Sequence, residues 1–203
     1  MSAQNRVTPD GQIVATDVRG AWLGNRGLLH GRDGSRRIVR ASASTRWITC
    51  ELSFRSRRVP QWAPKRYTPV FFLDEAVALA AGHRPCAECR RAAFLAYCAA
   101  WASGGSVPRA PALDIRLAAE RGRTHRAPWA DLPTGTFVVD NGHLALVRDD
   151  HLLDWDTQRY GYGPRRRRPT NGTTVVQTPA ATVGVLQAGY PVQLDACATR
   201  GLS

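Results

Sequence analysis

The spacing of hydrophobic and polar residues divides the chain into three stretches. The first and third have the short apolar runs of strands, and the second has the spacing of helices. In the first 73 residues, short apolar runs alternate with polar and glycine-containing stretches, which is typical of strands and turns. Between 75 and 121 the apolar residues recur at helical spacing, and from 132 onward short apolar runs return. The sequence therefore predicts an α+β protein: a small mixed α/β module at the N-terminus, followed by a β-rich C-terminal region.

Turn and cap residues set the predicted bounds of these elements. Asp74 is placed to cap a helix that Gly82 ends, and Asn141-Gly142 between two apolar runs predicts a tight hairpin. The predicted strands cover 12–15, 45–50, 68–73, 136–139, 144–147, 152–155 and 173–177. The predicted helices cover 75–81, 85–102, 112–121 and 181–188, and a loop is expected over 160–164.

The same patterns predict three regions and two buried faces. Residues 1–102 form the N-terminal module, 103–131 a linker and a helix, and 132–203 the β-rich domain. In the second helix, one face carries Phe94, Leu95, Cys98 and Trp101 and is expected to lie in the core. In the strand over 45–50, Ile48 and Cys50 share a face, and this face is expected to be the buried one.

Charge indicates the class of partner. The chain has 28 Lys+Arg against 16 Asp+Glu, a formal net charge of +12. Residues 1–100 carry 16 basic and 7 acidic side chains, net +9, so the positive charge is concentrated in the first half. Such a surface favours a nucleic-acid partner, and DNA is the expected one. The predicted contacts are Arg55, Arg57, Arg58, Arg90 and Arg91, with Arg165, Arg166, Arg167 and Arg168 as a second group.

Other classes of protein are disfavoured by what the sequence lacks. No apolar run approaches 18 residues, so no membrane partner is expected. The first ten residues lack the apolar region of a signal peptide, and five cysteines do not suit a secreted disulfide scaffold. We therefore expect a cytoplasmic protein.

Candidate metal chemistry begins at Cys86 and Cys89. This Cys-x-x-Cys pair follows Pro85, which suits the first turn of a helix. The helix dipole and nearby arginines would favour the thiolate form. The spacing fits half of a zinc site or a redox dithiol, and zinc is favoured because the flanking sequence lacks a thioredoxin-like βαβ pattern. Cys50, at the end of a predicted strand, is a candidate third ligand.

The stretch from Glu75 to Cys89, with an alanine-rich helix, then Gly-His-Arg-Pro-Cys and a second cysteine, resembles the zinc-binding domain of the Ada-type DNA repair family. The resemblance covers about 45–91. It implies a small zinc-stabilised α+β domain that repairs methyl phosphotriesters in DNA by moving the methyl group to a zinc-bound cysteine. The position that matches the acceptor is Cys50. The family has a second upstream cysteine where this chain has Phe54, so the fourth ligand is His83, His30, water or none, with His83 the expected one.

Three functions follow from these observations. The first is a zinc-binding, DNA-associated protein of Ada-like type, a DNA repair protein in which Cys50 is the candidate stoichiometric methyl acceptor. The second is a non-enzymatic zinc module that binds nucleic acid or a protein partner. The third is a metal-dependent nuclease or hydrolase acting on nucleic acid, in which His125 would assist a metal-bound water. Asp114 and Glu120 are candidates for an acid–base set with His125.

Overall fold

The computed structural model describes residues 2–31, 36–56, 60–102 and 105–199, and within them the chain is α+β. The strands are β1 Gln4–Val7, β2 Ile13–Ala15, β3 Trp22–Asn25, β4 Ile48–Cys50, β5 Pro69–Phe72, β6 Arg84–Pro85, β7 His125–Pro128, β8 Phe137–Asp140, β9 His143–Arg148, β10 His151–Asp156, β11 Gly161–Arg167 and β12 Thr173–Val176. The helices are α1 Glu75–Ala80, α2 Arg91–Ala102, α3 Ala110–Glu120, α4 Ala180–Gln187 and α5 Ala196–Thr199, with a short 3-10 helix at Trp129–Asp131. No helix in these ranges is both long and apolar enough to cross a membrane.

The first sheet has the strand order β2-β1-β5-β3-β4-β6. β4 and β6 pair in parallel, and β6 is an edge strand. The backbone N–H groups of Arg84 and Cys86 donate to β4, at Trp47 O and Thr49 O. The nitrogen of Pro85 therefore points away from β4 toward the open edge, where the missing N–H costs no ladder hydrogen bond.

This pairing corrects the predicted start of α2. Pro85 lies in β6, Cys86 to Arg90 form turns, and the helix begins only at Arg91. The extended backbone of 84–85 is imposed by β4, a distant partner that local helix signals do not reveal. The predicted core face is also wrong in part, because Leu95 is 52% exposed whereas Tyr97 is fully buried.

Local capping signals behave as predicted. The carboxylate of Asp74 accepts a hydrogen bond from the backbone N–H of Val77 at 2.9 Å and caps α1. Gly82 has φ +83°, the left-handed conformation that glycine adopts after a helix. Asn141 and Gly142 both have positive φ and join β8 to β9 in a two-residue hairpin.

The second sheet has the strand order β11-β10-β9-β8-β12-β7, with all its pairs antiparallel. The loop expected over 160–164 is wrong, because β11 begins at Gly161 and pairs along the whole of β10. Tyr160 and Tyr162 are held against the core, and the hydroxyl of Tyr160 donates to the backbone oxygen of Val7 at 2.6 Å. Tertiary packing thus extends a glycine-rich stretch that has no strand pattern of its own.

The largest core cluster contains side chains of both sheets. Phe72 and Val77 come from the N-terminal region, and Phe137, Trp155 and Tyr160 come from the C-terminal region. The two predicted regions therefore share one core. Whether they unfold as separate domains stays a prediction.

Candidate metal centre

The three cysteines Cys50, Cys86 and Cys89 come together in the fold, with their sulfur atoms all within 4.8 Å of one another. In the part of the chain that the structure describes, no other group of three or more His, Cys, Asp or Glu side chains is this close. Thiolate sulfur atoms at these separations can bind one metal ion.

The edge of the first sheet brings the three sulfur atoms together. Ile48 pairs with Arg84 and Thr49 with Pro85 in parallel register, so Cys50 and Cys86 continue as neighbours on one face. The turn after Cys86 closes with a hydrogen bond from Arg90 N–H to Cys86 O at 3.2 Å, and this turn carries Cys89 back toward the other two sulfurs. The site is therefore built from the ends of two strands and one turn.

Hydrogen bonds around the sulfurs favour negative charge at the site. The backbone N–H of Glu88 lies 3.4 Å from Cys86 Sγ, and the N–H groups of Cys89 and Glu51 donate to Cys86 and Cys89. The hydrogen bond from the Cys50 thiol, followed by the backbone N–H groups, lowers the pKa of Cys86 against the opposing effect of burial. The same hydrogen bond to Cys86, together with burial, raises the pKa of Cys50. One of the three thiols thus loses its proton easily. A second thiolate beside the first forms only when a cation compensates the added negative charge.

His83, the expected fourth ligand, does not lie with the three cysteines in this structure. It lies three residues before Cys86 in extended chain, so the two side chains point to opposite faces of the sheet. His83 is fully buried between the rings of Trp47 and Phe72, and Arg26 Nε donates to its Nε2 at 3.2 Å. Burial, with help from the charge of Arg26, lowers the pKa of His83 and keeps the ring neutral.

His30 also lies outside the group of three cysteines. Its Nδ1 is 2.6 Å from Thr68 Oγ1, and the side chain is almost fully buried against Trp62. Its role is to pack the loop that follows β3.

The two faces of β4 are the reverse of the prediction. Trp47 and Thr49 are buried, while Ile48 and Cys50 are half-buried. The reason is Trp47, whose ring contacts the guanidinium carbons of Arg26 and Arg121 at 3.8 and 4.4 Å from its centroid. Aromatic burial with two cations decides the inner face, and Cys50 is left on the accessible one.

A cleft of about 570 Å³ opens over the sulfur atoms. The residues that line it include apolar ones together with Tyr67, Glu51, Glu88 and Arg46. Its wall also holds a buried two-point ion pair, in which Arg84 Nε and its terminal nitrogen each lie 2.8 Å from a carboxylate oxygen of Asp114. Through the cleft, a ligand from solvent can reach a metal ion held by the three cysteines.

The arginines predicted to bind nucleic acid have different environments. Arg90 is buried, with one guanidinium nitrogen 2.7 Å from Glu75, and it stacks on Trp22. Arg166 pairs with Asp140 and Asp154, and Arg168 donates to Leu132 O. Contacts within the protein engage all three of these guanidinium groups, and nucleic-acid binding by the predicted arginines stays a prediction. Arg55, Arg91, Arg165 and Arg167 are exposed, and Arg57 and Arg58 lie outside the described residues.

The predicted acid–base set does not form. Asp114 is held by Arg84, Glu120 pairs with Arg116 and accepts from the backbone of Ala181, and His125 lies on β7 at the other sheet. Burial lowers the pKa of His125, which is distant in topology from the three cysteines.

Two residues of the cleft were not predicted as site residues. Arg46 follows the same alternation as Ile48 and Cys50, which was a usable signal for a shared face. Tyr67 was visible only as an aromatic residue in a basic loop, and nothing local indicates its position beside the cysteines.

Comparison with protein-family models, with curated proteins and with solved structures gives no match for this chain. The resemblance to the Ada-type family therefore stays a hypothesis.

Proposed function

We propose that the chain is a zinc–thiolate protein in which Cys50 accepts an alkyl group, with a methyl phosphotriester in DNA as the expected donor. The observation that carries the proposal is the convergence of three cysteine sulfurs at the floor of an open cleft. Thiolate ligands favour zinc among the common divalent ions, and three protein ligands leave one position of a tetrahedral ion for another group.

Cys50 is the best nucleophile of the three. Cys86 and Cys89 accept hydrogen bonds from backbone N–H groups, which stabilise negative charge on sulfur. The polar contacts that dominate around Cys50 are the other two thiols. When a cation holds all three side chains as thiolates, the Cys50 sulfur is the one least stabilised by backbone N–H groups. Cys50 also lines the cleft.

The transfer step balances without a further reagent. Cys50 Sγ forms a bond to the methyl carbon as the bond from carbon to the phosphate oxygen breaks. The electron pair of that bond stays on the oxygen, so a neutral triester becomes a phosphodiester anion and Cys50 becomes a thioether. The protein is consumed, and no catalytic triad is needed.

A metal-dependent hydrolase is the second candidate. Glu51 and Glu88 line the cleft beside the cysteines, and a carboxylate next to an open metal position can act as general base toward a bound water. This reading predicts turnover of a substrate, whereas the acceptor reading predicts one reaction per chain.

The test combines metal analysis with mass spectrometry. Protein purified without added metal should contain about one zinc per chain, and Cys86→Ser should lose it. Incubation with DNA carrying methyl phosphotriesters should add one methyl group to Cys50 and to no other cysteine, including exposed Cys197. Cys98→Ser is the matched control, since Cys98 is buried away from the site in α2. A folded, metal-free wild type would refute the metal site, and repeated turnover without methylated Cys50 would support the hydrolase.

A further inference from the structure

The three cysteines line the cleft, and two residues suited to a phosphate-containing ligand line it as well. Arg46 is exposed, and its guanidinium has no ion pair or hydrogen bond among the described residues. Tyr67 is half-buried, lines the same cleft, and its hydroxyl makes no hydrogen bond within the described chain. We propose that Tyr67 donates a hydrogen bond to the reacting phosphoryl group while Arg46 binds a neighbouring anionic phosphate. The inference rests on the proposed function and names two residues that would position its substrate.

Spacing separates the two roles. Arg46 and Cys50 are four residues apart in extended chain on one face, which places their Cα atoms about 13 Å apart. In a ligand that contacts both Arg46 and Cys50, the anionic group at Arg46 is therefore separate from the group that reacts at Cys50. Tyr67, in contrast, lines the cleft together with the three cysteines, and its hydroxyl is assigned to the reacting end.

The charges of the lining residues favour a neutral reacting group. Arg84 is paired with Asp114, while Glu51 and the three cysteines line the same cleft. A phosphodiester anion is repelled by these negative groups, whereas a triester carries no charge. The phosphate flanking the triester remains anionic, and Arg46 offers it a charge-assisted hydrogen bond.

The chemistry of the leaving group explains why a phenol is useful. Negative charge develops on the phosphate oxygen as the methyl group leaves, and a preorganised O–H donor stabilises that charge. The ordinary pKa of a tyrosine hydroxyl is about 10, so the group keeps its proton at neutral pH.

Three methyl donors separate these roles. The donors are a trinucleotide with one methyl phosphotriester, trimethyl phosphate, and methyl iodide, and the readout is the rate at which Cys50 is methylated. Arg46→Gln should slow the reaction of the trinucleotide by at least about tenfold and leave trimethyl phosphate unaffected, because only the trinucleotide has a flanking anion. Tyr67→Phe should slow both phosphotriesters by at least about tenfold and leave methyl iodide unaffected, because iodide needs no hydrogen bond to leave.

Controls separate the assigned roles from effects of misfolding or of lost positive charge. Arg159→Gln removes an exposed arginine at the second sheet and should change none of the rates. All variants should retain one zinc per chain. Equal slowing of all three donors by Tyr67→Phe, or no slowing of the trinucleotide by Arg46→Gln, would overturn the corresponding assignment.

Failure of the proposed function gives a different pattern. If methyl iodide modifies Cys50 of the wild type but neither phosphotriester does, methyl transfer from phosphate is refuted. Equilibrium binding of a fluorescent methyl phosphotriester trinucleotide then tests whether Arg46 and Tyr67 form a phosphate-binding pocket. Both variants should weaken this binding several-fold relative to Arg159→Gln, and unchanged affinity in both would overturn the phosphate pocket as well.

Discussion

At the scale of single residues, the partner of a side chain decides whether it is available for function. Arg90 and Arg166 belong to the basic runs that predict nucleic-acid binding, yet carboxylates occupy both. Arg26 is fully buried without a carboxylate partner among the described residues, and it is compensated by Trp47, His83 and the backbone oxygen of Gly11. Burial lowers the pKa of Arg26 to about 9, which shows how strongly that environment resists charge.

His83→Phe tests the residue that was predicted as the fourth ligand. The variant should keep one zinc per chain, because His83 faces away from the sulfurs. Its free energy of unfolding should fall by about 1–3 kcal/mol, because the substitution leaves the Arg26 donor buried without an acceptor. Zinc analysis and urea unfolding provide the measurements, with Cys89→Ser as the variant that should lose metal. Loss of zinc from a well-folded His83→Phe protein would restore His83 as a ligand.

At the scale of elements, the smallest strand has the largest consequence for the site. β6 contains only Arg84 and Pro85, yet its pairing with β4 places Cys86 beside Cys50. The side chain of Arg84 also reaches Asp114 of α3, so one strand both presents a cysteine and ties a helix to the wall of the cleft.

Asp114→Asn tests this tie. The substitution leaves the buried charge of Arg84 uncompensated, so the free energy of unfolding should fall by about 3–5 kcal/mol. Zinc affinity should fall as well, since β6 loses its anchor. Asp131→Asn, at an exposed aspartate, should stay within about 0.5 kcal/mol of wild type.

A double substitution checks the cause of that loss. Replacing the pair together, as Arg84→Met with Asp114→Leu, removes both buried charges and should recover most of the lost stability. If Asp114→Asn lowers the free energy of unfolding no more than Asp131→Asn does, the ion pair does not hold β6 in place.

At the scale of the whole molecule, the two sheets are joined by shared packing and by tyrosines of the second sheet. Tyr160 donates to Val7 O, and Tyr162 donates to the carboxylate of Asp74 at 2.7 Å. Asp74 caps α1, which leads directly to β6. The β-rich region therefore supports the elements that carry the cysteines.

We expect zinc release and loss of the second sheet to coincide on unfolding. The measurement is urea denaturation followed by a zinc indicator and by near-UV circular dichroism, which reports Trp155 and its aromatic neighbours. One core should give coincident transitions with both probes. Trp155→Phe serves to assign the near-UV signal. Zinc release at clearly lower urea, with the near-UV signal intact, would instead support the independent N-terminal module that the sequence predicts.

Local sequence is sufficient to predict the features that neighbouring residues control. The Asp74 cap, the Gly82 helix end and the Asn141-Gly142 hairpin depend on local backbone geometry, so their residue types suffice to predict them. The approach of Cys86 to Cys89 belongs to the same class, because a short turn joins them. The α+β class follows from the period of the apolar positions.

Contacts between distant parts of the chain set which faces and which charged side chains the site uses. The pairing of β4 with β6 turned a predicted helix start into a strand and a turn, and so moved His83 to the face opposite the cysteines. The contacts of Trp47 with Arg26 and Arg121 decided that Cys50 lies on the accessible face. Arg90 was removed from the surface by Glu75, and Arg46 and Tyr67 were brought to the cleft. These outcomes depend on partners far away in the chain, and the period of a single strand or helix carries no information about which partner will cover it.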